Sequence, residues 1–362
     1  MKKWLALSLD LALLAALVAA PHYLSAYHLS LLGRFLAMAI LSLGLCLVWG
    51  WGGILSLGQG VFWGAGAYIL AMHLKLVALS PGDMPDFMMW SGLDRIPGWW
   101  LIFRHPAVAL AGIILVPTIA AAGLAWLVFN RRVSGVYFAL ITQALALAFA
   151  TLLVSEQAYT GGFNGLTDFS TFLGHYVVDP SFQLALYWIT VGILVAAFLL
   201  CRWISHTNFG KVLLAIRDGE GRTRFLGYNP AGYKTIAFAI GGALAGISGA
   251  LYVLHVGVIS PAMVGVVPSI EMIVAVAVGG RSSFTGVILG TLLVNFGKDW
   301  ISSAMPDMWQ FGMGLLFILV VTLLPKGLAG IPDLRFRILT RFRRRSSPQI
   351  ADQPALVMPE ED

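Results

Sequence analysis

At 362 residues the chain is long enough for two soluble domains, but 59% of it is apolar and only 11% is charged, with a mean hydropathy of +0.84. Soluble domains average roughly 45–50% apolar and 25% charged residues, so a water-facing surface cannot be assembled from this composition. The net charge of +6 does not indicate nucleic acid, because Lys and Arg fall between apolar runs and in the tail, where they orient a membrane protein.

Apolar runs lie at roughly 4–20, 33–50, 53–74, 106–129, 133–154, 184–204, 235–257, 268–280, 284–304 and 308–325. Runs of this length match a hydrocarbon core of about 30 Å, and helices are the economical way to satisfy the backbone inside it. The expected class is an all-α polytopic membrane protein with about ten transmembrane segments. Residues 1–332 form the membrane domain, and 333–362 form a basic, then disordered tail.

The first run opens like a secretory signal, with Lys2 and Lys3 ahead of an apolar stretch that ends at Pro21. Asp10 interrupts its centre, and Val18, Ala19 and Ala20 make a poor cleavage site, so an uncleaved first helix is expected. The second and third runs meet at the junction Trp49 to Gly53, and the eighth and ninth at Gly279 to Ser283. Both junctions are too short for loops and read as tight turns or helix breaks.

With Lys2 and Lys3 inside and one crossing per run, 17 of the 23 Lys and Arg residues fall on the inner side. This asymmetry is expected to place both termini on the cytoplasmic side of the membrane. Runs 2–5 and 7–10 each open with a helix, meet a glycine-rich break and continue through small-residue helices, starting from opposite sides. That pattern predicts an inverted repeat with a pathway at its interface. The small residues Gly241, Gly242, Gly246 and Gly249 suit close helix contact.

Two outer segments, Ser80 to His105 and Glu156 to Pro180, are rich in proline and tryptophan or in glycine and polar residues. Either lining the membrane interface or touching an external partner fits them. In the tail, Arg335, Arg337, Arg341 and Arg343 to Arg345 suit anionic membrane lipid.

No phosphate-binding loop, H-E-x-x-H, G-x-S-x-G or His/Cys cluster occurs, and Cys46 and Cys201 show no paired spacing. No cofactor or metal is expected on this chain, and no catalytic residue is assigned. An enzyme would need paired catalytic groups that the sequence does not display.

The longest inner loop spans about 205–234, and its segment Ser205 to Gly227 patterns as an amphipathic helix. Thr207 or Asn208 can cap it; Val212, Leu213 and Ile216 share one face; Arg217, Asp218 and Glu220 are charged handles. By itself this also describes a helix lying on the membrane surface. The candidate pathway residues are Gln59, Asn164, Thr285 and Asn295, hydrogen-bonding groups near breaks and helix ends, and Glu271, an ionisable group within a span. Lining a pathway and bonding between helices both fit Gln59 and Glu271.

The stretch Gly210, Ala215, Ile216, Arg217, Asp218 and Glu220, followed by Leu226, Gly227, Lys234 and Phe238, resembles the ATPase-coupling loop of ABC permeases of the branched-chain amino-acid and urea type. Gly44 to Tyr68, including Leu55 to Gly60, Phe62, Gly64 and Gly66, is similar to the family's early signature, as is Gly279-Gly280. Within the family, Pro85 to Phe87, Pro97 to Trp100, Gly162 to Phe169, Pro306 to Trp309 and Leu324 to Gly327 resemble the urea-type permease.

The resemblance implies a transport subunit that hydrolyses nothing itself. Its partners would be a second homologous permease, two ATP-binding subunits that use ATP and Mg, and a periplasmic urea- or amino-acid-binding protein. Urea is the expected solute, with branched-chain amino acids as the alternative. An ATP-independent secondary transporter or channel is the rival, and the long basic inner loop argues against it.

Overall fold

The computed structural model describes residues 2–304, apart from 81–82, 134, 170, 173 and 178, and scattered positions between 311 and 330; of residues 2–7 only the backbone is described. Most of the tenth apolar run, the Pro306–Trp309 segment and the tail lie outside the described residues.

The chain runs through α1 (Lys2–Tyr23), α2 (Ala26–Leu45), α3 (Gln59–Ala78), the short α4 (Asp86–Trp90) and α5 (Gly98–Leu101), α6 (Pro106–Asn130) and α7 (Val136–Ser155). Next come the short α8 (Gln157–Thr160), a two-residue hairpin of β1 (Thr171–Phe172) and β2 (His175–Tyr176), and α9 (Pro180–His206). The last described helices are α10 (Asn208–Phe225), α11 (Pro230–Val256), α12 (Val266–Gly279) and α13 (Phe284–Ala304). Among the described residues seven helical segments are long and apolar enough to cross a membrane: 26–51, 59–78, 106–130, 136–155, 180–206, 230–256 and 261–279. Helices α1 and α13 coincide with the first and ninth apolar runs.

Local chemistry sets the boundaries. Pro106, Pro180 and Pro230 each open a long helix, where the missing N–H is harmless and φ is already helical. Gly257, at φ +75°, ends α11 in the left-handed conformation that only glycine takes without strain.

Helix α11 is the centre of the bundle, packing on α2, α3 and α6. Its glycines permit the approach. A Cβ on Gly249 would stand 2.0 Å from the Trp63 carbonyl oxygen of α3, and one on Gly246 would stand 2.3 Å from the Ile113 carbonyl oxygen of α6. Gly66 meets Gly246 just as closely from the α3 side. These residues provide close helix contact, as the small-residue pattern predicts.

The neighbours are also paired symmetrically. α3 lies on α6 as α12 lies on α13, and α11 contacts α6 and α3 as α2 contacts α13 and α12.

Helix α1 packs outside this core on α9 and α13. Tyr187 donates to the Leu17 carbonyl at 2.7 Å, Arg202 pairs with Asp10 at 2.5 Å, and Thr285 donates to the other Asp10 oxygen. The polar residue that interrupts the first apolar run is therefore the residue that fastens it.

The two ends of the bundle differ. One is capped by α4, α5, α8, the hairpin and a bridge between Leu166 and Ile259. Trp100 Nε1 donates to the Tyr159 carbonyl at 3.0 Å, tying the two outer segments to each other. The other end carries α10.

Candidate functional site

The α9–α10 turn is built for tightness. Thr207 caps α10 by accepting from the Gly210 N–H, and a Cβ on Gly210 would lie 2.4 Å from the Ile204 carbonyl oxygen. Leu213 and Ile216 are buried and Val212 is half-buried, so the predicted apolar face does pack inward. The helix is broken at Gly219, where φ −175° and ψ 78° leave the helical region, and Thr223 donates to the freed Gly219 carbonyl at 3.1 Å.

The charged residues do three different things. Arg217 reaches inward, and its Nη1 donates to the Gly50 carbonyl at 2.5 Å while its Nε pairs with Asp218 at 2.9 Å. Glu220 is not an outward handle, because it holds Lys234 of α11 at 2.5 Å and Arg224 at 3.2 Å. Lys234 is buried, with its ammonium 5.4 Å from the Phe129 ring centroid. Only Asp218, with its side chain 67% exposed, faces away.

The target of Arg217 is the first predicted helix break. There α2 widens into a π-helix over Cys46–Trp51, whose end exposes carbonyls with no helical partner. The guanidinium satisfies one of them and complements the negative end of the helix. Gly53 must be glycine on two counts: its φ is +68°, and a Cβ would lie 2.7 Å from Arg217 Cγ.

The second predicted break touches the first. A Cβ on Gly50 would lie 1.9 Å from the Arg281 carbonyl oxygen, and the Cys46 thiol donates to that oxygen at 3.5 Å. Trp51 stacks on Phe284 with centroids 4.3 Å apart, and Arg281 lies over the Trp49 ring. Helix α10 therefore bears on a knot where α2 turns toward α3 and α12 turns into α13.

Exposed residues of α10 include Ala215 and Phe225, the latter 95% accessible, and Leu226 and Gly227 just after the helix are exposed as well. Sequence reasoning passed over Phe225; a large aromatic residue after a run of charges was the available signal.

The five predicted pathway residues do not form one site. Glu271 on α12 and Asn295 on α13 line a common cleft of about 20 Å³ together with Ser42, Thr291 and Lys298. Gln59 begins α3 in the middle of the bundle, and neither atom of its buried amide has a partner among the described residues. Thr285 is engaged with Asp10, outside that cleft. Asn164 is exposed in the outer cap.

The profile described as "Branched-chain amino acid transport system / permease component" matches residues 27–321. The chain belongs to this permease family. The permease is 28% identical to the high-affinity branched-chain amino acid transport system permease protein LivM of Salmonella typhimurium, covering 90% of this chain and 76% of the relative. It is 26% identical to BraD of Pseudomonas aeruginosa and 24% identical to LivH of Escherichia coli, each over 82% of this chain and 92% of the relative. Those relatives are named as permease proteins of high-affinity branched-chain amino acid transport systems, and the expectation of a urea-type permease finds no support in them. No solved structure matches the permease. It is a multi-pass transport subunit and not an enzyme.

Proposed function

We propose that this chain is the membrane-spanning subunit of an inner-membrane ATP-binding-cassette importer for branched-chain amino acids, and that α10 is its attachment to the motor. The observation that carries this reading is the Arg217–Gly50 bond, which ties an exposed loop helix to a knot of two intramembrane helix breaks. Separate subunits would bind and hydrolyse ATP with Mg, drawing together and moving α10 by its exposed surface around Ala215, Asp218, Phe225 and Leu226. Arg217 and the Glu220–Lys234 pair pass that movement to α2 and α11.

The amino-acid substrate is preferred to urea because of the relatives' names. A periplasmic amino-acid-binding protein would deliver it to the outer cap, and a second homologous permease would complete the passage. The paired helix contacts support an inverted repeat of runs 2–5 and 7–10, and the Lys and Arg asymmetry of the sequence supports about ten spans with both termini cytoplasmic.

The test is uptake in vesicles carrying the complete importer. Labelled leucine should enter only when the ATPase subunits are present, and labelled urea should not. Uptake that survives removal of the ATPase subunits would favour a secondary transporter.

A further inference from the structure

Glu271 of α12 and Lys298 of α13 bring two formal charges together between neighbouring helices, with side chains 18% and 36% exposed. Glu271 Oε2 and Lys298 Nζ lie 2.6 Å apart. The other carboxylate oxygen, Glu271 Oε1, is buried and has no hydrogen-bond partner among the described residues. Ser42, Thr291 and Asn295 line the same cleft, and Met38, Met272 and Val294 give it an aliphatic wall.

Ionisable groups in a span are costly, and an ion pair rarely repays the desolvation of both its partners. A neutral solute such as urea would require no charges here. A zwitterionic amino acid is matched by two, of opposite sign and a few ångströms apart, because its ammonium and carboxylate must both leave water.

We propose that Glu271 and Lys298 form the intramembrane binding site for a zwitterionic aliphatic amino acid, Glu271 taking the ammonium and Lys298 the carboxylate. This rests on the amino-acid reading above. The step is an exchange of partners: one ion pair within the protein and one zwitterion become two protein–ligand pairs, with net charge unchanged. Glu271 Oε1 supplies the acceptor left over, and the flexible thioethers of Met38 and Met272 suit branched side chains of different shape.

The cleft has room for one water, so admitting an amino acid requires α12 and α13 to part. Their joint is the Gly280–Ser283 turn, which is held against Gly50 and so lies next to the Arg217 contact. Motion of α10 and opening of this cleft are thereby linked.

The experiment uses the complete importer in proteoliposomes with leucine-loaded binding protein. Glu271→Gln and Lys298→Met should each lower labelled-leucine uptake at least tenfold, with fewer leucines delivered per ATP hydrolysed. The exchange Glu271→Lys with Lys298→Glu should not restore uptake, because the ligand arrives with its charges in fixed order. Wild-type uptake in either single variant, or recovery in the exchange variant, would overturn the site in favour of a plain helix-to-helix ion pair.

If the charge variants do not fold, Asn295→Cys, in a background carrying Cys46→Ala and Cys201→Ala, keeps the proposal open to refutation. Loaded binding protein should slow its labelling by a water-soluble thiol reagent at least fivefold, and equal labelling would overturn the site. Failure of the underlying reading looks different, since the wild-type importer would then fail to carry leucine at all.

Discussion

Arg217 donates to the carbonyl of Gly50 at 2.5 Å, joining an exposed loop helix to the end of a membrane helix 167 residues away in sequence. The bond lies where a second helix break, at Arg281, closes on the first. Together with the Glu220–Lys234 pair, this contact joins the loop helix to the long helices of the bundle.

Arg217→Ala should leave α10 attached by Leu213 and Ile216 but loosen its grip on the breaks. Uptake is expected to fall at least tenfold while the ATPase subunits still co-purify with the permease. Arg217→Lys should recover part of it, because an ammonium can donate to one carbonyl but cannot also hold Asp218 in the same plane.

The acidic residues of the loop should separate cleanly. Glu220→Ala removes the partner of buried Lys234 and is expected to destabilise the permease by about 1–3 kcal/mol, the usual cost of stranding a buried polar group. Asp218→Ala, at an exposed site, should change stability by less than about 0.5 kcal/mol. Thermal unfolding in detergent distinguishes them.

Phe225 is 95% exposed and makes no contribution to the packed core, so Phe225→Asp should leave thermal stability unchanged. If its ring is a contact with the motor, co-purification of the ATPase subunits should drop sharply, since aromatic anchors dominate such interfaces. Undiminished co-purification would remove Phe225 from the docking surface.

Gly249→Ala places a methyl group against the Trp63 carbonyl, where only backbone movement can relieve the clash. The expected cost is about 1–3 kcal/mol, read as a lower unfolding temperature and a smaller monodisperse fraction in size-exclusion chromatography. Gly123→Ala and Gly192→Ala, which face open space, serve as neutral controls.

Asp10 and Arg202 should be coupled. In a double-mutant cycle with Asp10→Asn and Arg202→Gln, thermal unfolding is expected to yield an interaction on the order of 1 kcal/mol, because Arg202 is partly accessible. Zero coupling would mean that α1 is held by its apolar face, Tyr187 and the Thr285–Asp10 bond, without a contribution from Arg202.

Much of this architecture is legible in the residues themselves. Nine of the ten apolar runs coincide with described helices, and both glycine-rich junctions are breaks, because apolar length and glycine punctuation act locally. The loop helix, a cap at Thr207 or Asn208 and its buried face could be read from spacing for the same reason, and the structure selects Thr207. The roles of single polar residues could not. Thr285 and Glu271 are alike as polar groups in apolar runs, yet one fastens α1 and the other faces a cleft. Glu220 and Asp218 are neighbours of equal charge, yet only one of them meets Lys234.

By itself, the sequence determined that this chain lives in a bilayer, where its helices begin and break, and which loop carries the charged helix. These follow from the solvent each segment requires and from backbone chemistry within a few residues. Only the tertiary structure decided that Arg217 grips Gly50, that the two breaks form one knot, and that Glu271 shares a cleft with Lys298 and Asn295. Hydrogen bonds and ion pairs act over about 3 Å between segments far apart in the chain, and their partners are chosen by how the helices cross.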